Sequence, residues 1–64
     1  MSWKAKVYHS DSGQFLAALN VGGRNLREAE DSAVAITALL MRADPRKIVV
    51  RHLAQLAQQR RAEP

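Results

Sequence analysis

A small α+β domain of two layers, a β-hairpin–helix–helix (ββαα) completed by dimerisation, follows from three features of this chain. Apolar residues alternate with polar ones over residues 3–9 and recur over 14–21. A helical apolar stripe with a capping signal begins at Asn25, and a second helix start stands at Asp44-Pro45. The 64 residues form one domain, 1–60, with 61–64 as a frayed tail.

The first strand has Trp3, Ala5, Val7 and His9 on one face and Lys4, Lys6 and Tyr8 on the other, the period of two of a half-buried strand. The second has Phe15, Ala17, Leu19 and Val21 against Leu16, Ala18 and Asn20. If both odd sets share the core, the loop must be odd. Asp11-Ser12-Gly13 supplies a type I turn with Gly13 in the left-handed position as a bulge. The implied pairs are Trp3–Val21, Ala5–Leu19, Val7–Ala17 and His9–Phe15; a two-residue loop would set Lys6 against Leu19.

Gly22-Gly23 breaks the second strand. Asn25 followed by Glu28 matches an N-cap with a capping box. Leu26, Ala29, Ala33, Ile36 and Leu40 then form one stripe with Thr37 beside it. Val34 and Met41 flank that stripe and Leu39 lies well off it, more apolar surface than one hairpin covers. A second element or a second subunit must cover the rest.

Asp44 as N-cap and Pro45 at the first helical position begin a second helix. Val49, Leu53, Leu56 and Ala57 give it a stripe that runs to Gln59. The β-branched run Ile48-Val49-Val50 permits a strand over 47–51 instead. The helix is the preferred reading.

A chain of this length buries only ~60% of the surface its unfolded form exposes. It has no Cys, hence no disulfide framework or zinc-finger spacing, which fits a cytoplasmic setting. No secretory leader or bilayer-spanning apolar run is evident, so no membrane partner is expected. The net charge of +4 and pI near 10.4 favour an anionic partner. Glu28, Glu30 and Asp31 cluster early in the first helix, and the basic residues crowd the last third.

Catalytic chemistry finds little footing. His9, Ser10, Asp11 and Ser12 are consecutive on a turn, where Asp and Ser bond nearby backbone, and they cannot build the cleft that a catalytic triad needs. His9 and His52 with Asp11 or Asp44 do not make a metal site. Gly22-Gly23-Arg24 lacks the spacing and Lys of a phosphate-binding loop. No catalytic residue, metal or cofactor is expected.

Two surfaces suggest binding. On the second helix Lys47, Arg51, Gln55 and Gln58 fall on one side with Arg46 close by, residue types that contact phosphates and base edges. With the first helix and the intervening turn they suggest helix-turn-helix geometry. On the hairpin, Lys4, Lys6 and Tyr8 beside Leu16 form an outer face that, with Val34 and Leu39, offers a protein interface or homodimer contact; edge lysines also block unwanted strand pairing.

Asp11-Ser-Gly13-Gln-Phe15-Leu-Ala17, followed by Asn25-Leu-Arg-Glu28-Ala29 and Ala33, resembles the core of the HicB-like antitoxins over residues 3–42. The resemblance implies a non-catalytic protein that covers a partner enzyme and touches DNA. The chain thus reads as a small non-enzymatic regulatory module. It contacts nucleic acid through the basic C-terminal helix or, alternatively, inhibits a larger nucleic-acid-processing protein.

Overall fold

The computed structural model describes residues 1–56; Gln58 and the 61–64 tail lie outside the described residues. Strands β1 (Ser2–His9) and β2 (Phe15–Gly22) are followed by helix α1 (Leu26–Met41), one 3-10 turn at Pro45–Lys47, and strand β3 (Ile48–Gln55). The architecture is ββαβ. It corrects the expected ββαα, because the segment after Asp44-Pro45 is a third strand and not a second helix. The sheet is antiparallel with order β2-β1-β3, and α1 packs on one face of it.

The Asp44 signal is real but short. Its side chain accepts the Arg46 N–H at 2.9 Å, and Ile48 already has extended backbone. Three β-branched residues then favour a pleated conformation. Pairing them with β1 fills its second edge, and a third strand is what lifts a hairpin out of marginal stability.

A bulge hides β3 from periodicity. Lys6 faces His52 while Val7 faces Val50, so Arg51 is an extra residue between them. The residues on the helix side are Ile48 and Val50 before the bulge and Leu53 after it. A set that changes parity at residue 51 matches neither a strand period nor a helical one.

The hairpin pairs as expected at Trp3–Val21, Ala5–Leu19 and Val7–Ala17, but His9–Phe15 does not form, and Phe15 faces Tyr8. His9 instead donates its N–H to the Gln14 carbonyl at 2.8 Å. Ser10, Asp11, Ser12 and Gly13 lie between those two residues. The even loop would put the strands out of parity, and one extra residue, Leu16, restores it. Gly13 takes the expected left-handed conformation at φ 77°. The turn is tied by His9 Nδ1, which accepts the N–H groups of Asp11 and Ser12 at 3.3 and 3.5 Å.

Helix α1 starts as read. Asn25 Oδ1 accepts the Glu28 N–H at 2.9 Å. The Glu28 carboxylate reaches back to the Arg24 N–H at 3.0 Å and pairs with its guanidinium at 3.1 Å. Those bonds, the backbone one first, hold the Glu28 pKa below its ordinary value. Ala29, Ala33 and Thr37 are the buried residues, and their small side chains let the helix sit close to the sheet. Leu26, Ile36 and Leu40 of the expected stripe are exposed. Arg42 ends the helix in the left-handed conformation, its N–H on the Ala38 carbonyl.

The core joins Trp3, Ala5, Val7, Val21, Ala29, Ala33 and Ile48. Thr37 is fully buried, and its hydroxyl has no hydrogen-bond partner among the described residues. A buried polar group left unpaired costs ~1–3 kcal/mol. Thr37→Val keeps the shape and removes the hydroxyl, so it is expected to raise the thermal midpoint. A lower midpoint by circular dichroism would show that the hydroxyl is satisfied.

One junction ties the ends of three elements. The Trp3 indole N–H donates to the Gly23 carbonyl at 2.9 Å, and the Gly23 N–H donates to the Met1 carbonyl at 3.1 Å. Gly23 also lies against the first turn of α1, where a Cβ would come within 2.8 Å of the Ala29 nitrogen.

Candidate nucleic-acid interface

With α1 on one face, the other face of the sheet is left open among the described residues, and register places its residues in rows. Tyr8 stands between Phe15 and Val49, Lys6 between Ala18 and His52, and Lys4 between Asn20 and Ala54. Alanines beside the lysines keep two of the rows low.

The first row is aromatic. Tyr8 and Phe15 meet edge to face, with centroids 5.4 Å apart and planes at 73°. The Arg51 guanidinium carbon lies 5.9 Å from the Tyr8 ring centroid, within reach of a cation–π contact. The Arg51 bulge carries its side chain to this face. Phe15 is 51% exposed, the opposite of its expected place in the core, because the Leu16 bulge turns it outward.

The charge on this face has one sign. It comes from Lys4, Lys6 and Arg51, with His52 beside them. The acidic residues of the described segment, Asp11, Glu28, Glu30, Asp31 and Asp44, all lie on the helix or the loops. Anionic ligands therefore meet an attractive field here with no carboxylate of the described strands to oppose it.

The sites read from the sequence are redistributed. Arg46 and Lys47 sit on the 3-10 turn, and both face carboxylates. Arg46 pairs with Asp44 at 3.0 Å and Lys47 with Asp11 at 3.2 Å. The Arg46 side-chain and backbone bonds hold the Asp44 pKa below its usual value. Arg51 and Gln55 are on β3 on opposite faces: Gln55 is registered with Trp3, and its amide lies 3.1 Å from the Met1 sulfur. The single basic helix face expected for Arg46, Lys47, Arg51 and Gln55 does not exist.

Of the expected protein interface, Lys4, Lys6 and Tyr8 do share the open face. Leu16 and Val34 instead pack against the core, and Leu39 is exposed on α1. Sequence reasoning missed Phe15 and His52. The β-branched run at 48–50 was the available signal for His52, since a strand there brings it beside Lys6. Nothing short of the loop length could have exposed Phe15.

Among the described residues no group of three or more His, Cys, Asp or Glu could hold a metal ion. No helix of the described residues is long and apolar enough to cross a membrane. No family model, curated protein or solved structure matches the chain.

Proposed function

We propose that this protein is a non-catalytic binding module whose open sheet face takes single-stranded nucleic acid. Bases stack on Tyr8 and Phe15, and phosphates lie along Lys6, Lys4 and Arg51. The observation that carries this reading is a three-stranded face on which exposed Phe15 and half-buried Tyr8 adjoin rows of cations, with no acidic residue on the strands among the described residues. Stacking is sequence-tolerant because every base has a π-face, and a positively charged surface follows the backbone. Edge-to-face packing of the pair leaves ring surface available to a base.

Fluorescence anisotropy with labelled mixed-sequence single-stranded RNA and DNA tests the proposal. Three cations contacting phosphate should give a slope of about −2 in log affinity against log salt, at ~0.7 per contact for single strands. Tyr8→Ala should weaken binding about 5- to 100-fold, the worth of one stacked base. Lys4→Glu with Lys6→Glu should abolish it, while Arg46→Glu, whose parent side chain already pairs with Asp44, should change it little. Unchanged affinity in the folded Lys4→Glu, Lys6→Glu variant would overturn the proposal.

A further inference from the structure

We infer that β2 is the pairing edge for a second copy of this chain. Among the described residues, sheet order leaves one side of β2 and one side of β3 without a neighbouring strand. Natural edge strands are usually guarded by charges, prolines or bulges that discourage pairing. β3 is guarded by the bulge at Arg51 with His52 next to it. β2 runs Phe-Leu-Ala-Ala-Leu-Asn-Val-Gly with no charge and no proline, and beyond the irregularity at Leu16 its register is even.

The helix supplies a second, independent observation. The flank of α1 over β3 is identified by a groove that Glu30 and Val34 line together with Pro45 and Ile48. At 3.6 residues per turn, Ile36 and Leu39 occupy the other flank, above β2, with Leu40 adjoining. These side chains are 39%, 80% and 74% exposed. An uncharged strand edge and an apolar helix flank therefore lie side by side.

Self-complementarity points to a second copy as the occupant: the uncharged β2 edge can face itself about a dyad, and the exposed Leu39 and Leu40 at one end of α1 can face Leu26 at the other. The chain carries +4, so most ways of joining two copies set cation against cation. Pairing β2 with β2 brings none together along the strand. It is antiparallel about a two-fold axis, and a dyad at Leu19 keeps Ala17, Leu19 and Val21 of both copies on the helix side. The helices then run antiparallel, and the apolar last turn of one approaches the first turn of the other, where Leu26 is exposed. The product is a six-stranded sheet with both helices on one side and two basic faces joined on the other. This pairing stands whether or not the open face binds nucleic acid.

Sedimentation equilibrium of the full chain should return twice the 7.1 kDa chain mass, dissociating on dilution. Leu39→Glu leaves the monomer core untouched and should weaken association by about tenfold or more, because a carboxylate would be buried among apolar side chains. The chain has no Cys, so single cysteines can report the edge used. With a short bis-maleimide, Ala18→Cys should give a covalent dimer and Ala54→Cys, on the β3 edge, should not. A monomeric wild type at every concentration, equal cross-linking at both positions, or unchanged association of Leu39→Glu would overturn the inference.

Discussion

Trp3→Ala should leave the chain without a cooperative unfolding transition. Trp3 is 7% exposed and belongs to a core whose other members include three alanines, so it supplies much of the buried apolar surface. Truncating a buried Trp costs ~3–5 kcal/mol. A domain of this length has ~3–10 kcal/mol in all, at ~0.05–0.15 per residue. Loss of the indole also strips the Gly23 carbonyl of its donor, and with it one tie between β1 and the start of α1. Trp3→Phe separates the two effects: ring packing is largely kept and the hydrogen bond lost, so the transition should persist at a lower midpoint. Urea and thermal melts by far-UV circular dichroism measure both. A Trp3→Ala melt close to that of the wild type would mean that the core is held elsewhere.

Gly23→Ala should destabilise strongly while Gly22→Ala, one residue away, should not. A Cβ on Gly23 would stand 2.8 Å from the Ala29 nitrogen, 3.0 Å from its Cα and 3.2 Å from the Glu28 carbonyl carbon, whereas one on Gly22 meets nothing nearer than the Met1 oxygen at 4.0 Å. The atoms in the way at Gly23 are backbone and cannot swing aside. They belong to a helical turn fixed by the Asn25 cap and by Ala29, which is fully buried. Relief requires moving α1 off the sheet, and overpacking of this kind costs ~1–3 kcal/mol. The Gly22 change should stay within ~0.5 kcal/mol, as for surface positions without special contacts. Equal melting points for the two variants would contradict the close approach of helix and strand.

How far the sequence could be read depended on whether a segment kept one period. From Trp3 to Val7 and from Ala17 to Val21 the alternation is unbroken, and the strand pairs and the buried face followed from it. The Asn25–Glu28 cap likewise announced α1. Reading failed where one residue was added to a strand. Leu16 compensates an even loop and turns Phe15 to the open face; Arg51 shifts the parity of β3 and breaks its strand period. A bulge is specified by the partner strand, which local spacing does not contain. The candidate site suffered from the same two residues. Lys4, Lys6 and Tyr8 were legible as one face, but the aromatic and the cation that complete it arrive there through the bulges.

The central place of β1 sets an order of assembly. Its pairing with β2 closes a short loop, while His9 must find Ile48 and Trp3 must find Gln55 across most of the chain. Loops of that span are slow to close and the folding rate falls with them. A nascent chain lacks the β3 partner until residues 48–55 have been made, which leaves one edge of β1 bare. Truncation before Ile48 would leave the backbone edge of β1 unpaired and open to other chains, so the last strand is also the cap that keeps the first one from pairing elsewhere.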